Sequence, residues 1–245
     1  MISLARSSRI TRFMQTNRIT SNLAKRFIAG SNVDAAVSTA QSLMKEGFHP
    51  SLYYLGEYVD SKELIDQNIT QIISASHSLN RSGLDNHLSV DPTQIGYLVS
   101  DDLGKENALK IANSMTEQSN QNNKYLMLDM EDDSYIPKTL DLHRLLRKEN
   151  LPAAITIQAY LHRSEQDIRG LIELGTSVRL VKGAFVGRPD FAWTRKKDID
   201  DHYIHLAKLL LSSLAKKNRV YPIFGTHDEN DQYHHSGLVR GVLGA

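Results

Sequence analysis

The feature that most constrains the fold is a regular alternation of short apolar segments with stretches of helical periodicity. The apolar segments are residues 52–55, 88–90, 125–128, 155–157, 178–181 and 220–224. Between them, apolar residues recur every three or four positions, as in the run of Ile65, Ile69 and Ile72. Six strand–helix steps at such short intervals predict a parallel α/β sheet covered by helices.

Each predicted strand is apolar at its start and leads into a polar side chain at its carboxyl end. These side chains are Glu57, Asp91, Asp129, Gln158, Lys182 and His227. In a (β/α)₈ barrel, several strands contribute to one active site at their carboxyl ends, whereas an open doubly wound sheet binds ligands mainly at one crevice. The pattern therefore favours a (β/α)₈ TIM-type barrel. Because closure needs eight strands, about six units with helices at the N-terminus predict an incomplete barrel.

The composition and motifs exclude several kinds of site and partner. The chain has no cysteine, which excludes disulfides, thiolate zinc sites and a cysteine nucleophile. The formal net charge is +1, from 29 basic and 28 acidic side chains, and gives no reason to expect nucleic acid as a partner. No window is apolar for long enough to span a bilayer. No GxGxxG pattern follows a predicted strand, so a Rossmann nucleotide site is not expected.

The N-terminal segment differs from the rest in charge. No acidic residue precedes Asp34, but arginine and lysine recur throughout this stretch. Such a segment suits a mitochondrial-type presequence, a basic surface helix on anionic lipid, or a solvated leader. We therefore divide the chain into a basic leader or helix at residues 1–30 and a barrel domain at residues 31–245.

The densest cluster of candidate site residues is VRLVKGAF, residues 178–185. Arg179 and Lys182 lie three positions apart, so a regular strand would point them to opposite faces. Lys182 precedes Gly183, where a backbone can approach a ligand closely. A lysine here suits phosphate binding, stabilisation of negative charge on a reduced flavin, or Schiff-base formation. A solvated lysine at the rim is the alternative.

A second cluster is LDMED, residues 128–132, with three carboxylates. They suit metal binding, proton transfer or pairing with a cationic substrate. Asp132 also suits the N-terminus of a helix, where acids favour the dipole, whereas Asp129 and Glu131 still belong to the strand end. On the next strand, Gln158 is predicted to be a buried amide that needs hydrogen-bond partners, which the edge of a flavin ring would supply.

Two loops complete the candidate set. GTHDEN, residues 225–230, follows the last strand, and its histidine spacing matches no established metal motif, so a loop that hydrogen-bonds a cofactor is favoured over a metal site. WTRKKD, residues 193–198, is a basic loop before a helix. It suits either a solvated charge run or a diphosphate site.

Taken together and in order, these motifs resemble the proline dehydrogenase family. The matching stretches are RFIAG (26–30), YLGE (54–57), LDMED (128–132), IQAYLHR (157–163), VRLVKGAF (178–185) and GTHDE (225–229). The resemblance implies a distorted (β/α)₈ barrel with FAD at its C-terminal rim. It further implies oxidation of L-proline to Δ1-pyrroline-5-carboxylate, with electrons passed to a membrane quinone.

The resemblance also implies roles for individual residues. Those expected to hold FAD are Gln158, Arg179, Lys182, Gly183, Thr194, Lys196, Thr226, His227 and Asp228. Those expected to act in catalysis are Asp129, Arg179 and Lys182. The two cations would compensate negative charge on the reduced flavin. The implied location is peripheral to a bacterial inner membrane on its cytoplasmic face, with the mitochondrial inner membrane as the alternative.

The sequence departs from the family pattern at three places. Asp91 stands where the family has a lysine, and Phe185 stands where it usually has a tyrosine. No Tyr-x-x-Arg-Arg pattern, whose arginines clamp the proline carboxylate in the family, follows Asn230. We therefore expect a C-terminally truncated member whose activity is impaired. The alternatives are a non-catalytic remnant of the family and a Schiff-base barrel lyase that uses Lys182.

Overall fold

The computed structural model describes residues 28–56, 58–117, 123–185 and 187–226. The helices are α1 (Val33–Lys45), α2 (Lys62–Arg81), α3 (Asp101–Thr116), α4 (Ile136–Lys148), α5 (Ser164–Leu174), α6 (Lys196–Leu210) and α7 (Ser213–Lys217). The strands are β1 (Leu52–Tyr53), β2 (Asn86–Val90), β3 (Lys124–Leu128), β4 (Ala154–Gln158), β5 (Ser177–Val181) and β6 (Tyr221–Gly225). The predicted leader at residues 1–30 falls almost entirely outside the described residues.

The six strands form one parallel sheet in the order in which they occur along the chain. Its register aligns the carboxyl ends, since Val90 lies opposite Leu128 and Val181 lies opposite both Gln158 and Gly225. The residues that follow the strands therefore meet along one rim, which is the arrangement that positions the site. The predicted alternation of strands and helices is confirmed, although β1 is two residues long rather than four.

The sheet is not closed within the part of the chain that the structure describes. There, β1 pairs only with β2, and β6 pairs only with β5. The expectation of an incomplete (β/α)₈-type barrel is confirmed, because six parallel strands with their helices give an open arc of such a barrel.

The helices cover one face of the sheet through apolar side chains at helical spacing. On α6, Tyr203, Leu206, Ala207 and Leu210 are all buried. This spacing of three and four residues puts them on one side of the helix, which packs against β5. Among the described residues, no helix is long and apolar enough to cross a membrane.

The helical stretch before β6 is divided into two helices. α6 ends at Leu210, and the Ser212 side chain accepts a hydrogen bond from the Ala215 amide at 3.2 Å. Serine is a favoured N-cap residue because its oxygen satisfies an amide that the first turn leaves unpaired. Ser212 therefore begins the separate helix α7, and Leu214 is exposed instead of continuing the buried face of α6.

Candidate functional site

A cavity of about 690 Å³ opens at the carboxyl ends of β2 to β6. Its lining residues are Asp91, Asp129, Met130, Glu131, Thr156, Gln158, Arg179, Val181, Lys182, Gly183, Ala184, Phe185, Lys196, Gly225 and Thr226. Cavities that hold small molecules in proteins are of this size. Most predicted site residues thus meet in one place. Thr194 is exposed and does not line the cavity, and His227 and Asp228 lie outside the described residues.

One end of the cavity is built around Arg179. Its guanidinium forms an ion pair with the Asp129 carboxylate, and its Nε donates a hydrogen bond to Thr156 Oγ1 at 3.0 Å. The Thr156 hydroxyl in turn donates to Asp129 Oδ1 at 3.0 Å. Side chains of β4 and β5 and the residue that follows β3 therefore fix the guanidinium through a closed ring of polar contacts, which favours one orientation of the side chain.

Asp91 adds a second carboxylate at this end. It is buried and accepts a hydrogen bond from the Tyr53 hydroxyl. Burial lowers the pKa of Arg179, and the negative charge of Asp91 counteracts this effect. With Asp91 and Asp129 around one guanidinium, this end of the cavity carries a net negative charge. It suits a ligand with a cationic group.

The other end of the cavity is basic. Lys182 and Lys196 both line it, and each donates a hydrogen bond of 2.6 Å to Asp200. Arg179 and Lys182 would point to opposite faces only if a regular strand included both, whereas both line this cavity. β5 ends at Val181, so Lys182 no longer follows the alternation of a strand.

The backbone after Lys182 leaves the strand through a conformation that favours glycine. Gly183 has φ of 111°, and a Cβ atom at this position would overlap the ring of Tyr160. The Tyr160 amide also donates to the Lys182 carbonyl at 2.9 Å. The loop is therefore pressed against a buried aromatic ring, and this contact fixes the backbone at the cavity wall.

Gln158 has an unsatisfied group at the cavity. Its side chain is buried, as predicted, and its Nε2 donates to the Met130 carbonyl at 2.6 Å. Its Oε1 has no hydrogen-bond partner among the described residues. A buried amide oxygen without a partner is costly, so this atom indicates a ligand that donates a hydrogen bond.

Glu131 lines the cavity but has a structural contact that its motif does not reveal. Its carboxylate accepts hydrogen bonds from the Thr93 amide at 2.8 Å and from the Thr93 hydroxyl at 2.6 Å. Thr93 Oγ1 also accepts from the Tyr58 amide at 3.0 Å. These bonds tie together the loops that follow β1, β2 and β3.

We expect Glu131→Gln to destabilise the protein by about 1–2 kcal/mol, because hydrogen bonds to an ionised partner are stronger than those to an amide. Urea unfolding of the purified variant measures this change in the free energy of unfolding. Asp133→Asn is the control, since Asp133 is exposed in the same loop and its replacement should stay within about 0.5 kcal/mol. Equal effects of the two variants would contradict a structural role for Glu131.

A family model described as proline dehydrogenase matches residues 36–241. The match includes all six strands and every residue that lines the cavity. The chain belongs to the proline dehydrogenase family. The resemblance inferred from the sequence motifs is therefore confirmed at the level of the family.

Curated members of the proline dehydrogenase family are similar along most of this chain. Proline dehydrogenase 1 of Bacillus subtilis (strain 168) is 33% identical over 207 residues, which cover 84% of this chain and 66% of that protein. Proline dehydrogenase of Deinococcus radiodurans is 29% identical over 210 residues, which cover 85% of this chain and 66% of that protein. The chain thus spans slightly less than two thirds of the length of these relatives.

Solved structures support the fold. Proline utilization A (PutA) from Bdellovibrio bacteriovorus, inactivated by N-propargylglycine, superposes with a TM-score of 0.78. The two sequences are 22% identical, and the match covers 91% of this chain and 27% of that protein. PutA from Corynebacterium freiburgense gives a TM-score of 0.74 at 20% identity, covering 86% of this chain and 25% of that protein. At this level of identity the likeness supports the fold alone.

Proposed function

We propose that this chain contributes the cofactor site and part of the substrate site of an FAD-dependent enzyme. The reaction is the oxidation of L-proline to Δ1-pyrroline-5-carboxylate. The observation that carries the proposal is a single cavity, in a member of the proline dehydrogenase family, with an acidic end and a basic end. The acidic end suits the ammonium group of an amino acid, and the basic end suits an anionic cofactor.

The residues present fit a flavin. Gln158 Oε1 would accept a hydrogen bond from an N–H group on the ring edge, which would satisfy its unpaired oxygen. Arg179 and Lys182 would offset negative charge on the ring, and the backbone at Gly183 would allow close approach. Lys196, at the first turn of α6, would meet the phosphates. When bound, FAD would accept two electrons and a proton from the substrate.

Roles for the remaining predicted residues stay predictions. Thr226 lines the cavity beside β6 and would contact the adenosine side together with His227 and Asp228. Thr194 lies two residues before Lys196 in the exposed loop that leads into α6, so it would reach only the part of the cofactor outside the cavity. Transfer of electrons to a membrane quinone and peripheral contact with that membrane are further parts of the proposal.

On the substrate side, the chain's residues would bind and orient proline. The reaction breaks one C–H bond beside the ring nitrogen and one N–H bond, and it forms a C=N bond between those atoms. The hydrogen on carbon would leave with its two bonding electrons to FAD, and the proton on nitrogen would leave to water. Asp129 and Asp91 would attract the cationic nitrogen, and Arg179 would hold Asp129 in place.

The two alternative functions are a Schiff-base lyase and a non-catalytic remnant of the family. A Schiff-base lyase needs a neutral amine at Lys182, whereas the hydrogen bond of 2.6 Å to Asp200 favours the charged ammonium. The ion pair therefore argues against a lyase. A non-catalytic remnant is favoured by one observation, the two unpaired edges of the described sheet.

The visible absorption spectrum of the purified chain with FAD distinguishes the proposal from the remnant. We expect flavin absorption to stay with the protein through desalting and to bleach under anaerobic L-proline. D-proline is the control, because the acidic end and Arg179 would orient only one enantiomer productively. Bound flavin without bleaching would overturn the substrate half of the proposal. Absence of bound flavin would overturn the proposal as a whole and favour the remnant.

A further inference from the structure

Asp200 lies between two cations on the basic side of the cavity. One of its oxygens accepts a hydrogen bond from Lys182 Nζ and the other accepts one from Lys196 Nζ, both at 2.6 Å. The side chains of Lys182 and Asp200 are only 22% and 28% exposed, whereas Lys196 is 73% exposed. The Lys182–Asp200 pair is therefore shielded from solvent in a way that the second pair is not, and is less weakened by salt.

The pair joins two elements that build the cavity. Lys182 follows β5, whereas Asp200 stands on α6, which packs against that strand. Lys182 lines the cavity, and Asp200 is not among the lining residues. Burial alone would raise the pKa of Asp200, but the hydrogen bonds from Lys182 and Lys196 lower it below its usual value. An ionised carboxylate that does not line the cavity thus contacts a lysine that does.

A carboxylate in this position has two physical effects on Lys182. It restricts the long, flexible Lys182 side chain to one direction. The entropy of that side chain is therefore not lost a second time when a ligand binds. It also offsets part of the ammonium charge, so the positive potential at the cavity is smaller than a lone lysine would give. Both effects act on any group bound at the basic end.

We propose that Asp200 is a positioning residue that fixes Lys182 at the cavity wall and sets how much positive charge faces the bound ligand. The identification of that ligand as a flavin rests on the proposed function, whereas the effect on Lys182 does not. Asp200 would act through Lys182 without contact with the flavin, so its influence reaches the ring as charge and orientation alone.

The chain offers a matched control one residue away. Asp201 lies on the same helix and pairs with Lys197 at 2.6 Å, with side chains that are 67% and 83% exposed. Asp201→Asn removes the same charge as Asp200→Asn, at nearly the same place in the sequence, without touching Lys182. A difference between the two variants therefore reports the contact with Lys182 and not the general loss of a negative charge.

The first measurement uses the chain without added FAD. Acylation of each lysine by limiting acetic anhydride is quantified by mass spectrometry in the wild type and in both variants. We expect Lys182 to react several-fold faster in Asp200→Asn and at the wild-type rate in Asp201→Asn, because an ammonium that loses one contacting carboxylate gives up its proton more readily. Equal labelling of Lys182 in all three proteins would overturn the proposal.

The second measurement uses the FAD-loaded chain and sulfite, which adds to oxidised flavins and leaves a negative charge on the ring. We expect Asp200→Asn to bind sulfite roughly three- to ten-fold more tightly, since less of the Lys182 charge is offset. Asp201→Asn should match the wild type. Equal sulfite affinities in all three proteins would overturn the proposal that Asp200 controls the charge at the cavity. A wild type that binds no FAD would overturn the proposed function, and the labelling experiment would then test the effect of Asp200 on Lys182 by itself.

If Asp200→Asn folds poorly, Lys196→Gln tests the same proposal through a change of Lys182 labelling in the opposite direction. Removing the second cation leaves Asp200 entirely to Lys182, so labelling of Lys182 should fall below the wild-type level. Faster labelling of Lys182 in this variant would contradict the shared carboxylate.

Discussion

Arg179→Met is expected to lower the rate of proline oxidation by about 10²–10³-fold, which is the usual effect of removing one group that stabilises transition-state charge. The variant loses the positive charge at the proposed substrate site and leaves Asp129 without its ion pair with Arg179. Two carboxylates, Asp91 and Asp129, would then line the same end of the cavity with no cation between them. Steady-state kinetics under saturating FAD measure the effect on kcat/KM.

The control for this prediction is Arg188→Met. Arg188 is 74% exposed and pairs with Asp190 at 3.3 Å, so its replacement should leave kcat/KM within about two-fold of the wild type. Arg179→Lys separates charge from geometry, because lysine keeps the charge but loses the planar fork that contacts Asp129 and Thr156. Near wild-type turnover in Arg179→Met would show that Arg179 has no role in the reaction.

Gly183→Ala is the second large effect, and it is expected to weaken FAD binding by roughly 10- to 100-fold. An L-residue at φ of 111° carries backbone strain of about 1–3 kcal/mol, and its Cβ would also overlap the ring of Tyr160. The loop would have to move away from Tyr160, and the backbone beside Lys182 would move with it. Titration of the chain with FAD, followed by flavin fluorescence, measures the dissociation constant.

Gly170→Ala provides the matched control on α5. A Cβ at Gly170 would meet nothing within 4 Å, and the residue has an ordinary helical conformation. Alanine there should stabilise the protein by about 0.5–1 kcal/mol and leave FAD affinity unchanged, because alanine favours helix over glycine. A Gly183→Ala variant that binds FAD as tightly as Gly170→Ala would show that the backbone conformation at Gly183 is not needed.

Periodicity in the sequence was sufficient to predict the order of strands and helices and the rim on which the site lies. It succeeded because apolar segments followed by polar residues directly reflect buried strands whose carboxyl ends carry polar side chains. Family resemblance then added the roles of residues such as Gln158 and Lys182, which spacing alone left open. The predicted burial of the Gln158 amide is confirmed, whereas its contact with a flavin stays a prediction.

What the sequence could not supply are contacts between residues far apart along the chain. Glu131 is 38 residues from Thr93, and Lys182 is 18 residues from Asp200, so no local pattern links them. Strand alternation could not predict the orientation of Lys182, because β5 ends one residue before it. For Asp200, the one available signal was its spacing of four residues from Lys196, which commonly indicates an ion pair on a helix.

The order of the strands has a consequence for how the chain acquires its structure during synthesis. Within the part of the chain that the structure describes, each strand hydrogen-bonds only to its neighbours in sequence, so every new strand–helix unit can dock on the one already made. The N-terminal core, around Ile65, Ile111 and Leu126, can consolidate before β6 leaves the ribosome. The cavity is different, because its walls extend from Asp91 to Thr226. A nascent chain would therefore be stably folded in part well before it could capture a cofactor.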